Sequence, residues 1–151
     1  MFKTFKIGGV HPEANKLSAA NAIVGAQLPK TAIIPLAQHI GAPANAVVQK
    51  GDKVKVGQLI GEANGFVSAN IHSSVSGTVS KVDLAVDVAG FKKPAVFIDV
   101  EGDEWLETID RTDTLVTECN LEPKAIIEKI KDAGIVGMGG ATFPTNVKLS
   151  I

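Results

Sequence analysis

The chain has 151 residues, with 15 basic and 16 acidic side chains and a formal net charge of -1. This length allows one substantial domain and part of a second, with enough chain to bury a core. The balanced charge leaves no basic stripe and no polycationic patch, so we expect no nucleic-acid partner. No stretch reaches the roughly 20 apolar residues of a membrane helix, and the N-terminus lacks a signal peptide's apolar core. These features predict a cytoplasmic chain.

Short Val- and Ile-rich runs, separated by Gly, Asp, Asn and Pro, dominate residues 31–100 and predict β-structure. The first strand candidate spans residues 31–36. Glycine turns follow at Gly51 and Gly57, with short apolar strand pieces on either side. The pattern predicts small, tightly wound β-structure rather than long helices.

A further strand-like run covers residues 71–89 and contains Gly77. Glycine inside a strand is typical of a bulge or of a close crossing by another backbone segment. Behind the β-region, residues 123–133 predict a helix, with Pro123 in its first turn and Gly134 at its C-terminal stop. The apolar face of this helix is expected to consist of Ile126, Ile127, Ile130 and Ala133.

Residues 134–148 place four glycines, a lone aromatic and a lysine directly behind that helix. Glycines let the backbone reach positive φ and approach a ligand closely, where successive amides can point at phosphate oxygens. The pattern predicts a loop for a phosphorylated cofactor, although neither the GxGxxG nor the Walker A pattern is satisfied. A flexible turn is the alternative. The candidate cofactor-binding residues are Gly137, Gly139, Gly140, Ala141, Thr142, Phe143 and Lys148.

Two of these candidates leave alternatives open. Phe143 is either a platform for a nicotinamide or adenine ring or an anchor in the core, and Lys148 is either a phosphate partner or a solvated cation. A second helix beginning after Pro144 would add free amides to phosphate binding.

The sequence holds one cysteine, Cys119, and three histidines, His11, His39 and His72. One thiol forms no internal disulfide and cannot hold an iron–sulfur cluster, which needs about four thiolates. The histidines lack the close spacing of zinc ligands, so we predict no metal site and no catalytic residue here. We expect His11 and His39 to pack or cap at a domain seam, His72 to be hydrogen-bonded, and the Cys119 thiol to be structural.

Two motifs resemble the halves of a biotinyl/lipoyl-type barrel-sandwich hybrid. They are Gly51-Asp52-x-Val54-x-x-Gly57-Gln58-x-Ile60 and Val75-Ser76-Gly77-Thr78-Val79. The resemblance implies a mainly β barrel-sandwich hybrid for residues 31–105. Lipoyl domains carry the modified lysine at a hairpin tip, a position that falls near Phe66 here. No lysine lies between Lys55 and Lys81, which favours a scaffold or docking role over a swinging arm.

Several separated segments resemble the N-terminal part of the RnfC family, the C subunits of Rnf electron-transport complexes. They are Gly8-Gly9-Val10-His11-Pro12 with Asn15-Lys16, Pro35-Leu36-Ala37-Gln38-His39-Ile40-Gly41-Ala42-Pro43, Gly65-Phe66-Val67-Ser68-Ala69, and the terminal glycine loop.

That loop is also similar to the flavin loop of the NADH-binding subunit of respiratory complex I, Gly-Arg-Gly-Gly-Ala-Gly-Phe-Pro-Thr-Gly-x-Lys. Met138 replaces the arginine of that pattern, and Thr142 and Asn146 replace two glycines. The first change removes a bidentate phosphate partner, and a Cβ at Thr142 restricts φ.

The resemblance implies a peripheral subunit on the cytoplasmic side of the inner membrane, in contact with other Rnf subunits. It would pass electrons between NADH and ferredoxin, through FMN and iron–sulfur clusters, in a complex that translocates ions. Residues 106–151 would begin a flavin- and NADH-binding α/β domain, and two 4Fe–4S clusters are expected beyond residue 151. We therefore expect these residues alone to be inactive and to bind no cofactor tightly.

Residues 1–30 are expected to pack on the barrel domain. The competing hypothesis is a non-catalytic, lipoyl-like docking or scaffold module without a modified lysine.

Overall fold

A computed structural model of the chain describes residues 12–150, so His11 and most of the first family-like segment lie outside the described residues. Seven strands and two helices are found within them. The strands are β1 (Thr31–Pro35), β2 (Asn45–Ala46), β3 (Lys53–Val54), β4 (Leu59–Glu62), β5 (Ile71–His72), β6 (Gly77–Val86) and β7 (Lys92–Val100). The helices are α1 (Pro123–Asp132) and α2 (Thr145–Leu149). The β-structure predicted for residues 31–100 is confirmed.

The strands form two small antiparallel sheets, ordered β1-β7-β6-β3 and β2-β4-β5. One apolar cluster fills the space between them, because alternate side chains of each strand point inwards. Its buried members are Ile34, Leu36, Ala44, Val54, Ile60, Ile71, Val75, Val79, Val96 and Ile98. Each fully buried aliphatic side chain contributes about 1.5–3 kcal/mol, so this cluster is the main source of stability.

The predicted glycine turns are present, and each is tied to a distant strand by a backbone hydrogen bond. Gly51 has φ +95° and donates its N–H to the Val79 carbonyl over 2.8 Å. Gly57 has φ +84° and donates to the Ser73 carbonyl over 2.7 Å. Such positive φ angles favour glycine, and these two bonds connect the turns to the strand region that follows.

The strand predicted over residues 71–89 is wrong as a continuous element, because the chain leaves one sheet after β5 and enters the other at β6. Between them the Ser73 hydroxyl donates to the Val75 carbonyl over 2.7 Å, which bends the backbone locally. The close crossing predicted at Gly77 is confirmed: a Cβ there would collide with the Asp99 carbonyl oxygen of β7.

The segment ahead of β1 makes little contact with the barrel. Every residue from 12 to 30 is exposed, including the apolar Leu17 and Ile23. The packing expected of residues 1–30 on the barrel stays a prediction. The division of the chain at residues 30 and 105 stays a prediction.

The helix predicted over residues 123–133 is confirmed as α1, with Ala133 as its C-cap rather than its last helical residue. Ile126, Ile127 and Ile130 are half-buried, as expected of its apolar face. Ala133 is exposed, so its place on that face was wrong. The helix has no fully buried residue, and the Asp132 carbonyl at its C-terminal end accepts a hydrogen bond from the Asn70 side chain of the barrel.

Candidate functional site

The predicted cofactor loop is a closed hairpin. Val136 and Pro144 form an antiparallel bridge, and the Gly137 N–H donates to the Phe143 carbonyl over 2.9 Å. Pro144 is buried and holds the returning chain in place. Residues 137–143 therefore form a loop with a fixed base, not a run of unconnected chain.

The apex of this loop is open. A Cβ built on Gly139 or Gly140 would meet no atom within 4 Å, and both residues are exposed. Met138, which takes the place of the arginine in the flavin-loop pattern, is 98% exposed. The backbone at the apex is therefore accessible to a molecule that approaches from solvent.

Thr142 lies in the left-handed region, with φ +44°, where the related flavin loop has glycine. Its N–H donates to the Gly139 carbonyl over 3.2 Å and closes a tight turn. A left-handed conformation costs a residue with a Cβ about 1–2 kcal/mol. The loop thus keeps a backbone conformation suited to glycine, at the expense of strain at Thr142.

Lys148 folds back over the base of the loop. A Cβ on Gly137 would lie 2.5 Å from Lys148 Nζ, so the ammonium lies directly against the backbone of Gly137. Helix α2, anchored by the buried Val147, turns the chain so that Lys148 reaches this position. Within residues 12–150, no carboxylate lies within ion-pair distance of this ammonium.

The structure thus brings Gly137, Phe143 and Lys148 together at the base, and puts Gly139 and Gly140 at the apex. Ala141, beside the apex, is exposed, and the Phe143 side chain is half-buried. Half-burial of Phe143 is compatible with both expected roles, a ring platform and a core anchor. The binding of a cofactor by these seven candidates stays a prediction.

Sequence reasoning missed how this loop is attached to the barrel. Gly134 has φ +65°, and a Cβ on it would collide with the Asn70 carbonyl oxygen and lie 3.4 Å from His72 Nδ1. The Asn70 side-chain amide donates to the Asp132 carbonyl over 3.4 Å, across 62 residues of sequence. The signal was Gly134 itself, which the pattern marked only as a helix stop.

Two of the three histidines lie at this junction. A cavity of about 140 Å³ is lined by His39, Asn70, His72, Gly134 and Val136, among others. Burial lowers the pKa of His72, because a charged imidazole is poorly solvated there. No hydrogen bond of the His72 side chain is found within residues 12–150, so the hydrogen-bonded role expected of it is not observed.

His39 is buried, and both of its ring nitrogens are engaged. Its Nε2 accepts the Ala69 N–H over 3.1 Å, while Nδ1 lies 3.1 Å from the Ile40 carbonyl and donates to it in the matching neutral tautomer. The predicted packing role of His39 is confirmed. The Cys119 thiol is free and exposed, and the structural role predicted for it stays a prediction.

Metal-ligating side chains are not clustered in the described part of the chain. No three His, Cys, Asp or Glu side chains come together within residues 12–150 in a way that could hold a metal ion. None of the helices in that range is both long enough and apolar enough to cross a membrane.

Residues 3–103 match the family described as the RnfC barrel sandwich hybrid domain. The chain is 46% identical to the C subunit of the proton-translocating ferredoxin:NAD(+) oxidoreductase complex of Clostridium ljungdahlii, over 99% of this chain and 32% of that protein. It is 45% identical to the Na(+)-translocating counterpart of Acetobacterium woodii, over 98% of this chain and 33% of that protein. It is 41% identical to the C subunit of the ion-translocating oxidoreductase complex of Rhodobacter capsulatus, over 95% of this chain and 28% of that protein.

The chain spans about a third of the length of these relatives. The family match confirms the resemblance stated from the sequence and the barrel-sandwich fold of the matched part. An α/β flavin domain after it stays a prediction. The two curled antiparallel sheets and the similarity along nearly the whole sequence lead to one conclusion: the chain belongs to the RnfC family and carries its barrel sandwich hybrid domain.

Proposed function

We propose that this chain is the N-terminal part of a peripheral electron-transfer subunit of an ion-translocating ferredoxin:NAD⁺ oxidoreductase complex. The names of its relatives support this, since they are subunits of complexes that translocate protons or Na⁺. Its partners would be the other subunits, NADH, and indirectly ferredoxin, at the cytoplasmic side of the inner membrane. The 4Fe–4S clusters of this proposal would be held by sequence that follows residue 151.

The proposal assigns the phosphate group of FMN or NADH to the glycine loop. The observation that carries it is the Lys148 ammonium, which lies over Gly137 without a carboxylate partner in residues 12–150. A cation without a carboxylate partner at the base of the loop and exposed glycine backbone at its apex would attract a phosphate through charge and hydrogen bonding. The residues present therefore fit a phosphate group.

The chain's own residues would bind and orient the cofactor. Lys148 would neutralise phosphate charge, the exposed Gly139 and Gly140 would let the ligand reach the backbone, and Phe143 would pack against a ring. When bound, FMN would supply the redox chemistry, since flavins exchange hydride with nicotinamides and single electrons with iron–sulfur clusters. This division leaves the protein with positioning and electrostatics.

The first test is Gly139→Val in the full-length polypeptide that contains this chain. A Cβ at Gly139 meets nothing in the structure, so the fold should tolerate valine, whereas a ligand on the backbone would be displaced. We expect flavin content at limiting FMN to fall about tenfold or more, equivalent to about 1.4 kcal/mol of binding. Gly25→Val is the matched control, because a Cβ there also meets no atom within 4 Å. Unchanged flavin content in Gly139→Val would contradict the assignment.

Lys148→Gln tests the charge separately, with the exposed Lys124 on α1 providing the control Lys124→Gln. We expect Lys148→Gln alone to weaken FMN binding, and to do so less at high salt, because screening already weakens the attraction. Equal FMN affinity of the two variants would show that the Lys148 ammonium does not meet the phosphate.

The alternative, a lipoyl-like docking module, is favoured by one observation. Phe66 lies near the tip where lipoyl domains carry the modified lysine, and it is 76% exposed. An exposed aromatic side chain suits contact with another protein better than it suits covalent carrier chemistry. Purification of the full-length polypeptide without flavin, without NADH oxidation after loading with FMN, and with an unmodified mass would favour this alternative.

A further inference from the structure

The hairpin of β6 and β7 extends beyond the rest of its sheet. The pairing of these strands continues to Val86 and Lys92. Strand β1 accompanies β7 only as far as Ala95, and β3 pairs with β6 only at its first two residues. The Leu36 N–H, just after β1, donates to the Pro94 carbonyl over 2.9 Å. Residues 84–93, here called the β-arm, therefore have no neighbouring strand on either side within residues 12–150.

The β-arm exposes large apolar side chains. Leu84 is 53% exposed, Val86 67% and Phe91 65%, and Val88 at the turn is fully exposed. Leu84, Val86 and Val88 also line a cavity of about 650 Å³ beside the segment that follows β1. Exposed apolar side chains grouped on one regular element are a usual mark of an interaction surface.

The turn of the β-arm is held in one conformation by Asp87. Its carboxylate accepts the N–H groups of Ala89 and Phe91, over 2.9 and 2.8 Å, and its own N–H donates to the Phe91 carbonyl over 2.8 Å. Gly90 closes the turn with φ +85°. Both N–H groups bond to Oδ1 of Asp87, and these bonds present Val88 and Phe91 in a preorganised loop.

Cationic groups flank this apolar tip on both faces. Lys92 lies opposite Val86 and Lys93 opposite Ala85, and consecutive residues of a strand point to opposite faces. Neither ammonium pairs with a carboxylate within residues 12–150. The nearby carboxylate of Asp83 accepts the Leu84 N–H and pairs with Lys81 at 3.0 Å, so its charge is already compensated.

We propose that the β-arm docks on the surface of an anionic phospholipid bilayer, with Val88 and Phe91 entering the headgroup region and Lys92 and Lys93 meeting lipid phosphates. The proposal rests on the proposed function, because a subunit of an ion-translocating complex works beside a membrane. An apolar tip with cationic flanks matches the surface of such a bilayer, where anionic headgroups cover the apolar acyl chains.

The binding is expected to be weak and reversible. Two lysines and two apolar tip residues provide much less than a membrane-spanning helix or a polybasic run, in keeping with the absence of a polycationic patch from the sequence. The β-arm would orient a subunit that other members of the complex hold in place.

The test is flotation of the full-length polypeptide with vesicles of phosphatidylcholine, with and without phosphatidylglycerol. We expect binding to the anionic vesicles only, and loss of binding at high salt. The double variant Lys92→Gln/Lys93→Gln should weaken partitioning about 30-fold, at roughly fivefold for each lysine. Phe91→Ser should weaken it about tenfold or more, because a buried phenyl group is lost from the interface.

Matched controls exist elsewhere on the surface. Phe66→Ser removes another exposed phenylalanine. Lys53→Gln/Lys55→Gln removes two lysines that are close to each other in sequence, at and just after β3, and that pair with no part of the β-arm. Both controls should bind vesicles as the unmodified chain does. Equal loss in control and β-arm variants, or equal binding to neutral and anionic vesicles, would overturn the proposal.

Two further outcomes separate this proposal from others. The unmodified polypeptide could fail to bind vesicles while substitutions in the β-arm release it from the purified membrane complex. In that case the β-arm binds a protein, and the lipid proposal is wrong. Flavin content and NADH oxidation should be unchanged in the β-arm variants. Failure of vesicle binding with those activities intact would refute only the β-arm proposal, whereas absence of flavin-dependent activity from the unmodified polypeptide would speak against the proposed function.

Discussion

Replacement of Gly77 should destabilise this fold more than replacement of a positive-φ glycine that has open space around it, such as Gly51. Gly77 begins β6 and lies opposite Val100 of β7, and a Cβ on it would collide with the Asp99 carbonyl oxygen. Asp99 cannot move aside freely, because β7 is paired with β1 on its other side. We expect Gly77→Ala to lower the free energy of unfolding by about 3–5 kcal/mol, the range of the most damaging single substitutions.

Two other glycines separate the effect of the collision from that of backbone strain. Gly51 has φ +95° but open space around its would-be Cβ, so Gly51→Ala introduces backbone strain alone, about 1–2 kcal/mol. Gly25 has open space and no positive φ, so Gly25→Ala should be neutral or stabilise by up to about 1 kcal/mol. The expected order of destabilisation is therefore Gly77, Gly51, Gly25.

Urea unfolding followed by circular dichroism measures this series. With an m-value of about 1–3 kcal/mol/M, Gly77→Ala should lower the midpoint by roughly 2 M, and Gly51→Ala by less than about 1 M. The m-value should stay constant, since the same surface is exposed on unfolding. A Gly77→Ala midpoint equal to or above that of Gly51→Ala would refute the close approach of β6 and β7.

Two further predictions use the same assay. Ile60 is completely buried, so Ile60→Ala should lower the free energy of unfolding by about 2–5 kcal/mol. Ile33 is half-exposed, so Ile33→Ala should lower it much less. Similar losses at both sites would contradict the assigned core. Burial lowers the pKa of His72, so below pH 6.5 the unfolded chain takes up this proton more readily than the folded one. Stability should therefore be full above about pH 6.5 and decline as the pH falls below it, and His72→Gln should reduce that decline between pH 7.5 and 5.5, a window above the range of most carboxylates. An identical pH profile for His72→Gln would rule out His72 as the group responsible.

Most of the β-region could be predicted because its signals are local. Turns at Gly51 and Gly57 require positive φ, and the Val- and Ile-rich pieces between turns supply the buried faces. The error over residues 71–89 has a physical cause, since alternation of apolar residues continues when a chain passes from one sheet to another. The apolar pattern of residues 71–89 does not distinguish a change of sheet from a continuous strand, whereas the bend at Ser73 in the structure does.

The candidate site was predictable in composition but not in arrangement. The glycine-rich segment was evident from the sequence, but the position of Lys148 over Gly137 depends on the turn made by α2. The junction of Gly134 with Asn70 joins residues that are distant in sequence, and no local signal connects them. The β-arm could not be predicted from the sequence for a related reason, because its lack of neighbouring strands depends on the sheet topology.

The contact between Gly134 and the Asn70 carbonyl oxygen divides the glycine loop into a fixed root and a free apex. A side chain at Gly134 would push α1 and the glycine loop away from the barrel, so this replacement should lower the stability of the fold. Replacement of Gly139 leaves the protein's own packing unchanged, so we expect it to change ligand affinity and not stability. Natural selection for folding and selection for binding would therefore act on different residues of one short loop, and each could change without disturbing the other.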